Sequence, residues 1–134
     1  MAYEEILQCI TLNADATLAS LTGVAGLPGA PANPSGLQYR FVKFTGEHQV
    51  GLMAATTDTA VAVLQSKPQR TADEATVGVY GISKIECAGA ITAGAPVYSD
   101  NVGRATATVA GAIYGYAIHS TAAAGELATV LLRF

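Results

Sequence analysis

Residues 88–100, AGAITAGAPVYSD, read on through Asn101, Val102, Gly103 and Arg104, most constrain what this chain can become. Short strand-forming groups (Ile91, Val97, Tyr98) alternate there with glycines at turn positions, Gly89, Gly94 and Gly103. Gly94 and Gly103 tolerate positive φ without steric cost, so each is expected to reverse the chain tightly. The remainder of the chain repeats the style, a brief strand followed by a glycine. Chains punctuated in this way form all-β structures, here a compact barrel or sandwich of about eight to nine short strands.

The strands can be placed in order. Residues 3–12 alternate, with Ile6, Ile10 and Leu12 expected on one face and Cys9 and Thr11 on the other. Residues 37–44 (LQYRFVKF) make the clearest strand, Leu37, Tyr39 and Phe41 opposing Gln38 and Arg40. A turn at Thr45-Gly46-Glu47 returns the chain through residues 49–54, and residues 60–64 supply a third strand of this group. The stretch from Thr76 reads as continuous β-structure. Gly78 and Gly81 signal a bulge or a close strand contact, and Ile85 and Cys87 oppose Lys84 and Glu86. Further strands are expected at residues 95–99, 104–109, 111–119 and 127–134.

Residues 22–36, TGVAGLPGAPANPSG, fit neither period, with three prolines and four glycines in fifteen residues. Proline removes amide donors and biases its neighbours towards extended backbone. Extended, the segment would span about 45–50 Å, against a radius of gyration of about 14 Å for a folded chain of this length. It reads either as a surface loop or as an arm lying across a neighbouring subunit, with Leu27, Pro28, Pro31, Pro34 and Leu37 as its contact residues. The 134 residues then form a single β-domain carrying this arm.

Composition narrows the function. Charged residues make up 13% of the chain and hydrophobic ones 51%, with a net charge of −3. So few charges leave outer surface available for burial against other protein, which points to an oligomer or a docked subunit. Seven Lys and Arg without a cluster argue against nucleic acid as a partner. No run of about 18 apolar residues suggests a membrane span. Two acids near the start, in MAYEEILQCI, are unlike a signal peptide, so synthesis in the cytoplasm is expected.

Catalytic and metal-binding motifs are missing from the sequence. His48 and His119 are far apart, and Cys9 and Cys87 are isolated thiols expected to be reduced and structural. There is no GxSxG, P-loop or GxGxxG pattern, so no catalytic, cofactor-binding or metal-ligating residue is assigned. Asp100-Asn101-Val102-Gly103 lacks the later acidic ligands of a calcium loop and reads as a turn. Tyr39, Phe41, Tyr80, Tyr98, Tyr114 and Tyr116 fall at strand spacing, which suits core and interface packing.

From Gln65 onwards, VGVYGISKIECAGAITAGAPVYSDNVGRA followed by IYGYAIHSTAAAGELATVLL resembles the small tailed-phage capsid decoration, or cement, proteins. The matching positions are Gly81 and Lys84, Ala93-Gly94, Val97, Asp100, Gly103-Arg104, Gly115 to Ala117, Ala122 to Gly125, and Val130. Tyr116 departs from the pattern, which often has a smaller or aliphatic residue there. The likeness covers residues 65–134, and the N-terminal part shares only a general pattern. The resemblance implies a non-enzymatic protein made in the host cytoplasm, bound to the exterior of the virion on the major capsid protein, commonly as a homotrimer. Two other readings stay open: a receptor- or glycan-binding surface module such as a head fibre or adhesin domain, and a small enzyme or accessory subunit with a site built at an oligomer interface.

Overall fold

A computed structural model describes residues 6–18 and 37–134. Among these residues the protein is all-β: β1 (Leu7–Ala14), β2 (Phe41–Gly46), β3 (Gln49–Leu52), β4 (Ala62–Leu64), β5 (Glu74–Glu86), β6 (Pro96–Ser99), β7 (Ala105–Thr106), β8 (Gly115–Ala117) and β9 (Leu127–Leu132). They form one nine-stranded sheet in the order β1-β3-β2-β4-β5-β9-β8-β6-β7, with an additional pairing of β1 to β5. That pairing closes a circuit of the first five strands. The last four extend the sheet from the C-terminal half of β5.

β5 is the hinge of this arrangement, and its alternation hides a change of face. Gln8 pairs with Tyr80 and Cys9 with Gly78, so Val79 is an extra residue bulged out of the ladder. One inserted residue reverses the side-chain phase. Before the bulge, Ala75 and Val77 point into the circuit, where they join Ala14, Leu18, Leu37, Val42, Val50, Ala62 and Leu64 in one core cluster. After it, Ile85 turns to the opposite face and packs in a second cluster with Phe41, Val63, Val97, Tyr114, Ala117, Val130 and Leu132. The backbones approach closely at this point, as the two glycines suggested. A Cβ on Gly81, whose φ is +111°, would lie 1.9 Å from the Ile6 carbonyl oxygen, and one on Gly78 would lie 2.9 Å from Leu7 Cδ1. Strands β2 and β4 lie between the two cores, which explains why Phe41-Val42 and Ala62-Val63-Leu64 are buried on both faces.

Some elements differ from their sequence reading. The first strand runs two residues beyond Leu12, to Ala14, the part of it read at residues 3–5 lying outside the described residues; Ile6 and Ile10 are exposed at 63% and 45%, and only Leu12 and Ala14 on that side approach the core. They differ because the interior of the circuit reaches only the second half of β1. Residues 37–39 form a turn preceding β2, with Tyr39 at φ +65°. This break in alternation buries Arg40, expected on a polar face. Its Nε donates to Glu86 Oε2 at 3.2 Å and its Nη2 to Glu86 Oε1 at 3.3 Å. Glu86, read on the same face as Lys84, is 4% exposed. The later strands are shorter than read, two residues in β7 and three in β8. The Gly94 and Gly103 reversals form as expected, at φ +85° and +80°.

Candidate interaction surface

The residues with chemical potential are placed in structural roles. Asp100 closes its turn: Oδ1 accepts from the amides of Val102 (3.0 Å) and Arg104 (2.8 Å), and Oδ2 accepts from Arg104 Nε at 2.8 Å. With both oxygens engaged by the turn itself, the carboxylate acts as a clasp. His48 sits in the β2–β3 turn at φ +53°, and His119 is exposed just beyond β8. No group of three His, Cys, Asp or Glu able to hold a metal occurs among the described residues. Cys9 is exposed and Cys87 buried, and both are free thiols. Burial pushes the Cys87 thiol above its ordinary pKa, keeping it protonated. No helix among the described residues is long and apolar enough to cross a membrane.

One groove, of about 500 Å³, is lined by Lys43, Phe44, Thr45, Asp58, Thr59 and Val61. Lys43 Nζ donates to Asp58 Oδ2 at 2.7 Å across it, and the same oxygen accepts from the amides of Ala54 and Ala55 at 2.8 and 3.0 Å. The hydrogen bond from Lys43, followed by that from Ala54, holds the Asp58 carboxyl below the usual carboxylate range. Its partners make Asp58 the brace of the 54–60 turn. Tyr114 reinforces that turn, its hydroxyl donating to the Asp58 carbonyl and accepting from the Ala60 amide, both at 3.1 Å.

The larger feature is a sheet face. Beyond the bulge, the described residues leave the side of β5 opposite the second core uncovered from Tyr80 to Lys84, with Tyr80 and Lys84 exposed and Ile82 half-buried. The Ile82 amide donates to the Ile6 carbonyl, and Ile82 pairs with Leu131, Leu131 with Tyr116, and Tyr116 with Pro96. Directly opposed residues share a face, so an apolar row crosses β5, β9, β8 and β6, with Ile6 at its β1 end. Leu131 is 48% exposed, Tyr80 on the same face 66%, and Ile118 42%. Ile82, Tyr116 and Pro96 are half-buried between them; contiguous apolar residues left partly exposed in this way mark a contact surface more often than scattered single ones do.

Of the five contact residues expected for the arm, Leu37 lies in the circuit's core at 4% exposure, so its side chain packs inward. Leu27, Pro28, Pro31 and Pro34 lie outside the described residues. Sequence reasoning passed over the sheet face itself. A signal was present in Val130-Leu131-Leu132, a run apolar at consecutive positions, which in a strand puts hydrophobic residues on both faces.

The model of the phage cement protein family matches residues 38–134, well over half of the chain. The chain belongs to the phage cement protein family. The match begins 27 residues ahead of the resemblance seen in sequence, which started at Gln65, and takes in the whole circuit from β2 onwards. No curated protein sequence matches this cement protein. Among solved structures, it is similar to the N base of the head fibre gp8.5 of bacteriophage phi29, at a TM-score of 0.63 and 17% identity, covering 96% of this chain and 95% of that one. At that identity the likeness is one of fold. This cement protein is a capsid-associated structural protein of the phage virion.

Proposed function

We propose that this cement protein binds the outer surface of an assembled tailed-phage capsid and stabilises it. The observation that carries the reading is the uncovered apolar row, presented on a twice-cored sheet by a chain of the cement family. The mechanism is linkage. A protein that binds only the assembled lattice stabilises it by mass action, to an extent set by its concentration relative to its Kd. If each copy touches several capsid subunits, the departure of any subunit costs the contacts of its cement protein, which resists pressure from packaged DNA. Three copies joined as a homotrimer would place three such surfaces on one site and gain from multivalency. Residues 22–36, through Leu27, Pro28, Pro31 and Pro34, would extend this contact onto a neighbouring subunit.

The test is co-sedimentation of the purified protein with expanded empty heads of the phage that encodes it, together with the mass of the free protein in solution. Saturable binding and heads more resistant to heat support the reading. Absence of binding to heads together with retention on a glycan array would replace it with the receptor-binding alternative. Deleting residues 22–36 should leave the strands folded and weaken head binding; unchanged occupancy would remove the arm from the mechanism.

A further inference from the structure

The exposed sheet face carries a charge pattern that restricts what can cover it. Three of the chain's cations are neutralised in ion pairs: Arg40 with Glu86, Lys43 with Asp58, and Arg104 with Asp100. Lys84 has no ion-pair partner among the described residues. It is exposed, pairs with Thr129 across the ladder, and follows Ile82 by two positions, which puts it on the same face as the apolar row. The acids of β5 lie at its two ends, Glu74 beside Asn13 and Glu86 already held by Arg40. Among the described residues of its strands, the face beyond the bulge therefore has an apolar centre made by Ile82, Leu131 and Tyr116, with Lys84 at its margin and no unpaired carboxylate, Glu74 lying on the other side of the bulge. Two copies of this face set against each other would bring their Lys84 side chains together with no unpaired carboxylate on the described part of the face to meet them.

We propose that this face is the surface that docks on the capsid, and that it fits an apolar patch bordered by carboxylates on the lattice protein, not a second copy of this chain. The inference rests on the decoration reading and adds to it the surface used and the chemistry of its partner. Leu131 and Tyr116 supply the desolvated centre, and Lys84 supplies orientation and salt-sensitive attraction at the rim.

The full chain and its Leu131→Asp, Lys84→Glu and Tyr116→Ser variants would be titrated onto expanded empty heads at low and high salt, with Phe44→Ser, an exposed residue of the β2 groove, as control. Thermal melts of each variant establish that it is folded. Leu131→Asp should weaken binding at least tenfold and Tyr116→Ser by several-fold, Phe44→Ser having little effect. Lys84→Glu should weaken binding at low salt and flatten the salt dependence seen with the unmodified chain. If Leu131→Asp fails to fold, Lys84→Glu and Tyr116→Ser decide the matter. Binding by the unmodified chain with every face variant equal to it would overturn the surface assignment and leave the decoration reading standing. No binding by the unmodified chain would overturn the decoration reading itself. Dissociation of an oligomer by Leu131→Asp, with head binding retained, would show the face to be a contact between copies and would also overturn the proposal.

Discussion

Arg40 and Glu86 meet in the interior of the sheet, Nε to Oε2 at 3.2 Å, with side chains 1% and 6% exposed. They come from positions 46 residues apart and join the start of β2 to the end of β5. Arg40 Nη1 also donates to the Val102 carbonyl at 3.2 Å, so the pair is tied to the Asp100 turn. The backbone repeats the connection: the Phe41 amide donates to the Gly103 carbonyl at 2.8 Å and the Glu86 amide to the Tyr39 carbonyl at 2.9 Å. Arg40→Met leaves a buried carboxylate unpaired and should cost about 3–5 kcal/mol of stability. The double variant Arg40→Met with Glu86→Leu should be much less destabilised than the sum of the two single changes. Urea denaturation of the four proteins in a double-mutant cycle measures this, and additive losses would contradict it.

The positive-φ glycines divide into two kinds. At Gly81 an added Cβ meets the Ile6 carbonyl oxygen at 1.9 Å, whereas at Gly94 it meets nothing within 4 Å. Gly94→Ala then carries only the backbone cost of a left-handed alanine, about 1 kcal/mol. Gly81→Ala adds displacement of β1 and should cost about 2–4 kcal/mol. Thermal melts should separate the two, at about 3–5 °C per kcal/mol for a domain of this size.

Asp58 predicts an acid limb in the stability curve. Its carboxyl is held below the usual range by the hydrogen bond from Lys43 first and by that from Ala54 next. Because the folded pKa is depressed relative to the unfolded chain, the stabilisation is present above about pH 4 and is lost as pH falls through the folded value. Asp58→Asn should lower stability at neutral pH by about 0.5–1.5 kcal/mol and flatten the curve below about pH 4. Denaturant midpoints measured between about pH 2 and 6 for both proteins supply the check; parallel acid limbs would show that Asp58 is not the group titrating.

The two thiols should react differently. Cys9 is exposed on β1, whereas Cys87 is fully buried, its thiol kept protonated by burial. Thiolate is the reactive form, so a maleimide should label one thiol per chain in the native protein and two in denaturant. Mass spectrometry of the native product should find the label on Cys9. Rapid native labelling of Cys87 would show that β5 and β9 open locally.

Much of the fold was legible in the local chemistry of the chain. Asp100 to Arg104 was readable as a turn because Asp accepts from amides two and four residues ahead and Gly103 tolerates φ +80°. Pairing of β2 with β3 followed from two alternating runs around a short turn. Less legible were Tyr39 and Arg40, where alternation predicted a strand face. The turn at residues 37–39 rotates Arg40 inward only because Glu86, distant in sequence, waits to neutralise it. The contact face was hidden for a related reason. A Leu at position 131 reads as core, and only the cross-strand register shows that Val130 and Leu132 have already filled the core side.

The sequence by itself determined the secondary structure class, the turn positions and the low share of charged residues. Those depend on φ preferences, on side-chain period and on residue count, all local or additive quantities. The tertiary structure decided which face each strand buries, because the single extra residue Val79 in β5 reverses the phase between two cores. It also decided that Arg40 and Glu86 are interior, and that Leu131 is exposed, with Ile82 and Tyr116 half-buried, on the face that carries Lys84. Register and burial are properties of pairs of strands. They arise from contacts between residues far apart in the chain, where no local pattern records them.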